Sequence, residues 1–204
     1  QAPVTGLHML FCDSIEEFDR VIKIDGISKV IGFRIQLPKM HSRFGIAVEK
    51  FENFQAIISR TRLLKDKAEL GFHHHMPSWD IGLKRWKKSF ETLLTWCNTV
   101  TQLTGVPVKH LDLGGGFFPT DLEKISFNWI QDLAREALPQ LESIYFEPGR
   151  SLTQEGEALV SRILDVRRDN DNHVSEIVVD ACIAELPLIQ AYPHRVFYCS
   201  RSSE

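Results

Sequence analysis

The chain has 204 residues, 43% of them hydrophobic, with 24 Lys and Arg set against 27 Asp and Glu. That content is enough to bury a core, and a formal charge of −3 with basic residues scattered among acids leaves no electrostatic footprint for nucleic acid. No apolar run reaches membrane-spanning length, and Cys12, Cys97, Cys182 and Cys199 stand far apart without a Cys-x-x-Cys pair, so a membrane span, a zinc knuckle and a disulfide framework are all unexpected. A reducing cytoplasm fits this cysteine usage, no basic-then-apolar leader points to secretion, and Gln1 in place of Met reads as a fragment.

Leu7 to Cys12 is a short apolar run, predicted as a strand. Ser14 and Glu17 follow with capping-box spacing ahead of Phe18 and Val21, which starts a helix. Lys29 to Leu37 is apolar and β-branched and stops at Pro38, and Val48 to Leu64 then carries Phe51, Phe54, Ile57 and Ile58 at helical spacing. Glu69 to His75 is the third strand-like run, and Leu83, Trp86, Phe90, Leu93, Leu94, Cys97 and Val100 mark one face of a long helix. Val106 to Leu113 is the fourth strand, Phe127 to Leu138 its helix, and Ser143 to Phe146 the fifth strand.

Strands alternating with helices imply parallel pairing through right-handed crossovers, so the fold class is α/β. A complete eight-stranded barrel takes about 250 residues, and five strand positions precede a change of rhythm, so the sheet is either open or an incomplete barrel. After Arg150, Ala158 to Val166 and His173 to Val179 are strand-like runs separated by a polar, turn-rich segment. The boundaries expected are therefore residues 1–155 for a partial (β/α) barrel and 156–204 for the start of a mainly β domain.

In parallel α/β folds reactive groups gather at the carboxyl ends of strands. The second strand carries Arg34 and leads to Arg43-Phe44-Gly45, the third ends in His73-His74-His75 and Ser78, the fourth in Asp112 and Gly114-Gly115-Gly116, and the fifth in Glu147-Pro-Gly-Arg150. Three consecutive glycines pack nothing and offer backbone N–H groups to a close ligand, phosphate above all; a tight turn with no ligand is the simpler reading of the triplet alone. On a strand His73 and His75 share a face and His74 takes the other, so a three-histidine metal site is not expected. Together the glycines, arginine, serine and carboxylate suit a phosphate-bearing heterocycle.

The ordered series "FCDSIEEF", "FRIQLP…SRFGI", "GFHHHMPS", "LDLGGGF", "EPGRSL" and "VVDACIAELPLIQAYPHR" resembles the pyridoxal-phosphate decarboxylases of the ornithine, diaminopimelate and arginine group, which have an alanine-racemase-like barrel. The resemblance covers nearly the whole chain. It implies decarboxylation of a basic or diamino amino acid with pyridoxal 5'-phosphate as cofactor, no nucleic-acid or membrane partner, and a homodimer for the full-length protein. By position it implies that His75 stacks on the cofactor ring, that Ser78, the amides of Gly114, Gly115 and Gly116, and Arg150 hold the phosphate, and that Glu147 pairs with the pyridine nitrogen. Arg34 matches an arginine near the phenolic oxygen. Catalytic roles fall to His75 and Glu147, with no metal ligand.

Five departures accompany the match. Pro77 stands where the family has glycine and Arg43 where it has lysine, while Leu186-Pro187, within the substrate-linked segment Ala184 to Tyr192, replaces Arg-Pro of the diaminopimelate enzymes. The lysine to which the family attaches its cofactor lies on an earlier strand and has no match among Lys29, Lys39 and Lys109. The terminal cysteine motif has no match either, Cys199 included. The chain therefore reads as a central fragment, inactive alone and prone to oligomerise. Two rivals remain: a non-catalytic regulatory homologue, and a metal-dependent barrel hydrolase using His73, His75 and Asp112.

Overall fold

A computed structural model describes residues 7–24, 26, 28–39, 42–76, 78–153, 156, 158–185 and 195–197. The backbone divides into two units, residues 1–154 and 155–204. In the first, strands β1 (Leu7–Cys12), β2 (Ser28–Gln36), β4 (Glu69–His73), β5 (Val108–Asp112) and β6 (Ser143–Tyr145) pair in parallel and in chain order, with a two-residue strand β3 (Ile46–Ala47) against the end of β2. Helices α1 (Ile15–Val21), α2 (Phe51–Thr61), α3 (Ser78–Thr104), α4 (Pro119–Lys124) and α5 (Phe127–Ala137) fall between these strands, and α6 (Gly149–Thr153) follows β6. Sequential parallel pairing with a helical crossover is the repeat of a (β/α) barrel, and here it forms a curled part of one.

The helix starts follow from local chemistry. Ser14 accepts the Glu17 N–H at 3.1 Å, as its spacing predicts, but the Glu17 carboxylate returns to the N–H of Asp13, one residue further back than in a standard capping box. Ser126 caps α5 by accepting the Trp129 N–H. Helix α3 is broken at Gly82, whose φ of 73° and ψ of 152° are not helical, so the apolar stripe that organises it begins at Leu83.

Outward-facing residues of the strands build the core against the helices. Ile31, Phe33 and Ile35 of β2 and Leu70 and Phe72 of β4 are buried with Phe18, Ile57, Trp86, Phe90 and Leu93. Phe18 stacks on Phe33, and Trp96 of α3 meets Phe72 edge-on at 4.8 Å. Large aromatic side chains with about 25 cal/mol per Å² of buried apolar area make this layer the main source of stability. On the opposite face Gly32 pairs with Gly71, and a Cβ on Gly32 would collide with the Gly71 carbonyl, so the close approach of β2 and β4 needs glycine there.

Several elements differ from sequence expectation, among them the two-residue β3, which no strand-like run signalled. β4 ends at His73 rather than His75, although the His74 N–H still donates to Asp112 O at 2.8 Å and carries the pairing one residue on. α4 and α6 were not predicted, being single turns too short to show periodicity. The second unit is an antiparallel hairpin of β7 (Ile163–Arg168) and β8 (Val174–Val179), as its two runs and polar turn predict, but β7 begins at Ile163 rather than Ala158. Arg167 and Arg168 belong to β7 and not to the turn, since Arg167 pairs across the hairpin with Glu176 at 2.7 Å. The turn itself is closed by Asp169, which accepts the N–H groups of Asp171 and His173.

Candidate functional site at the carboxyl ends of the strands

The ends of β4, β5 and β6 are locked to one another by backbone hydrogen bonds beyond the strands themselves. Leu113 N–H donates to Tyr145 O at 3.0 Å and Glu147 N–H to Gly114 O at 2.8 Å. Between these fixed points the chain turns through Gly114 and Gly116, whose φ values of +66° and +82° are left-handed. The turn is also crowded: a Cβ on Gly114 would run into the His75 ring, and one on Gly115 into the Glu147 carbonyl. Glycine is thus required twice over, by conformation and by the two neighbours seated against the backbone.

Each amide of the turn that can be traced has a specific partner. Gly114 N–H donates to Asp112 Oδ1 at 2.8 Å, and Gly115 N–H to His75 Nδ1 at a long 3.3 Å. Asp112, 8% exposed, therefore holds the first glycine in place from beneath. His75 faces the glycine turn as strand alternation predicts. His74 is separate from it: its side chain is buried and its Nδ1–H donates to Ile35 O at 2.9 Å.

His73 and His75 lie on one face with their rings 6.4 Å apart, and Glu147 joins them. His73 Nε2 lies 3.9 Å from Glu147 Oε2, is buried, and has no hydrogen-bond partner among the described residues. Arg34, His73 and Asp112 occupy one register row across β2, β4 and β5. Arg34 reaches Asp13 Oδ1 at 3.6 Å and lies over the Phe44 ring at 4.8 Å, while Asp13 also accepts the Gly45 N–H at 3.0 Å. The Asp13 carboxylate and the Phe44 ring are parts of this end of the sheet that residue-level reading did not single out. An acid one residue past a strand end was the available signal for Asp13; in the sequence it reads equally well as the start of a helix.

Charge and burial set the protonation of the cluster. Burial lowers the pKa of His73, with the Arg34 charge acting the same way and Asp112 opposing. Burial also lowers His75, again with Arg34, and brings His74 down to about 4. All three rings are neutral at neutral pH. Glu147 is shifted upward by burial and by the Asp112 charge, with Arg34 opposing.

The side chains of Ser78 and Arg150, the whole of Pro77, Leu186-Pro187 and Cys199 lie outside the described residues. Of the lysines, Lys29 and Lys109 sit at the opposite, amino-terminal ends of the strands. Both pair with Glu69, at 3.3 and 3.0 Å, and Lys109 pairs also with Glu142 at 2.6 Å. Asp112, a ligand in the hydrolase reading, is turned to Gly114, and the group that joins His73 and His75 is Glu147.

Residues 4–154 match the family described as "Pyridoxal-dependent decarboxylase, pyridoxal binding domain". Diaminopimelate decarboxylase of Pseudomonas aeruginosa is 23% identical over 199 residues, which cover 89% of this chain and 46% of that protein. Lysine decarboxylase from Selenomonas ruminantium superposes with a TM-score of 0.62 at 19% identity, covering 92% of this chain and 50% of that one. Lysine/ornithine decarboxylase from Vibrio vulnificus, solved in complex with putrescine, superposes with a TM-score of 0.60 at 18% identity, covering 92% and 52%. The fold is thus the partial alanine-racemase-like barrel, and the chain spans about half the length of the curated relatives it matches.

Proposed function

Because the chain belongs to the pyridoxal-dependent decarboxylase family, we propose that it forms the cofactor-binding part of an enzyme that decarboxylates a basic or diamino amino acid with pyridoxal 5'-phosphate. The observation that carries this reading is the seating of the glycine turn between His75 and the Glu147 carbonyl, at one end of three locked strands. The residues present fit the group. A cradle of backbone with no room for side chains suits a phosphate, and a carboxylate at the rim beside a His73 Nε2 that has no hydrogen-bond partner among the described residues suits a polar ring edge.

In this reading Gly115 and Gly116 contribute amides to the phosphate, Gly115 releasing its long bond to His75, while Gly114 shapes the turn because Asp112 takes its N–H. Ser78 and Arg150 supply further donors, the guanidinium through a charge-assisted pair. The His75 ring, neutral because it is buried, packs against the flat face of the heterocycle. Glu147 holds a proton at the pyridine nitrogen, and Arg34, steadied by Asp13, faces the phenolic oxygen. When bound, the cofactor accepts the electron pair released as carbon dioxide leaves the substrate's α-carbon. Residues 1–155 and 156–204 are proposed as the barrel and β-domain portions, and a homodimer is proposed for the whole protein.

The test uses the whole protein incubated with the cofactor and then with borohydride. The expected outcome is one reducible adduct on a lysine other than Lys29 or Lys109, with carbon dioxide released from a panel of ornithine, lysine, arginine and diaminopimelate. Adduct formation without release from any of these would favour a non-catalytic homologue. A protein that takes up no cofactor would defeat the proposal.

A further inference from the structure

The same face of β4 carries a second possibility that the cofactor reading does not use. One ring nitrogen from His73, one from His75 and a carboxylate oxygen of Glu147 all lie within 4.8 Å of one another. Two imidazoles and one carboxylate are a donor set for a borderline transition ion, with water in the fourth position. We propose that this triad binds one divalent transition-metal ion of the zinc class, and that metal and cofactor exclude each other. Exclusion rests on the proposed function; metal binding does not.

The geometry is close to what such an ion requires. Zinc bonds of about 2.0–2.1 Å in a tetrahedron put neighbouring donor atoms roughly 3.3 Å apart. His73 Nε2 and Glu147 Oε2 stand at 3.9 Å, a gap that a small turn of the Glu147 side chain closes. Among the described residues His73 Nε2 is buried with no hydrogen-bond partner, so a metal there would satisfy an atom that otherwise carries a desolvation cost. His75 contributes a ring nitrogen at the expense of its ring proton's position or of the long bond from the Gly115 N–H. Fixed backbone at the ends of β4 and β6 holds the donors close, which limits the ordering cost of binding.

Two other clusters compare poorly. Glu69, His110 and Glu142 also lie within reach of one another, but Lys29 and Lys109 already neutralise the acids. Asp169, Asp171 and His173 are exposed in the β7–β8 turn, where Asp169 is committed to backbone N–H groups. The β7–β8 turn provides the control.

The whole protein, stripped of cofactor and metal, is titrated with Co²⁺ and followed by its visible ligand-field bands. One equivalent with the intense absorption of a low-coordinate site is expected. His73→Ala and Glu147→Ala should each weaken binding by more than about tenfold, since even disturbing an outer partner of a ligand costs that much, and Asp171→Ala should leave it unchanged. Near-ultraviolet circular dichroism checks that each variant folds. Prior loading with pyridoxal phosphate should raise the apparent Co²⁺ dissociation constant at least tenfold. Only weak octahedral absorption, or loss of binding in Asp171→Ala but not in His73→Ala, would overturn the metal site. Unaltered Co²⁺ binding to cofactor-loaded protein would overturn the exclusion. Co²⁺ bound by a protein that takes up no cofactor would instead remove the proposed function and leave the metal site standing.

Discussion

Glu147 is the residue at which structure and proposed chemistry make the sharpest demand. Its carboxylate is 57% exposed by side chain, yet it faces His73 at 3.9 Å and has its pKa raised by burial and by Asp112. Only the ionised form can hold a proton on a ring nitrogen, so activity should show an acid limb as falling pH protonates Glu147. Glu147→Gln keeps the size and removes the charge. A hydrogen bond to a charged group contributes about 1.5–3 kcal/mol. Each 1.4 kcal/mol is about tenfold in rate, so kcat should fall by about one to two orders of magnitude, with KM little changed. The acid limb should vanish with it. A variant with an unaltered pH–rate profile would show that Glu147 is not the group that keeps the ring protonated.

At the scale of elements, the amino-terminal parts of β4 and β5 carry a polar network, reaching Tyr145 of β6, quite unlike the apolar layers opposite. Glu69 accepts from His110 Nε2 at 3.1 Å and from Lys109 at 3.0 Å, and Tyr145 O–H approaches His110 Nδ1 at 3.4 Å. These bonds hold the Glu69 pKa down at about 2 against an ordinary value of about 4.3. A depressed acid stabilises the fold at pH above its unfolded value and loses that contribution as pH falls toward the folded value. Glu69→Gln should therefore lower stability by about 1–3 kcal/mol at pH 7, with the difference from the native chain shrinking between about pH 4.3 and 2. Urea midpoints of the two proteins at pH 7 and near pH 2 check it; a constant offset at both would exclude ionisation as the cause. Sequence reading did not foresee this network, because Glu69, Lys109 and His110 are far apart in the chain and only strand register brings them together. What it did foresee was set locally: Ser14 as a cap, β1 from Leu7 to Cys12, the stripe from Leu83 to Val100, and the glycine stop after Asp112. The pairing of His73 with Glu147 required knowing that β4 and β6 flank β5. Hence the motif order pointed to the family, while the partnership between its parts came from the folded sheet.

At the scale of the whole molecule, the sheet has two ends to account for. Among the described residues β1 pairs only with β2, and β6 only with β5, so each outer strand presents an edge of backbone donors and acceptors. Such edges pair readily with other chains unless covered. The second unit adds apolar surface: Leu164 and Ile177 of the β7–β8 hairpin are 60% and 50% exposed, and a two-stranded hairpin is marginal on its own. Expressed as these 204 residues alone, the chain should therefore self-associate, the larger species growing with concentration. Sedimentation velocity over about a hundredfold concentration range reads this directly, and the mass-action dependence it would show is the expected signature of edge and face pairing. Lys placed at Met9, an inward position near the middle of the β1 edge strand, should shift the distribution toward monomer, as charge on an edge does in natural sheets. A single monomeric species across the range, melting cooperatively, would mean that the curled sheet hides its edges by itself.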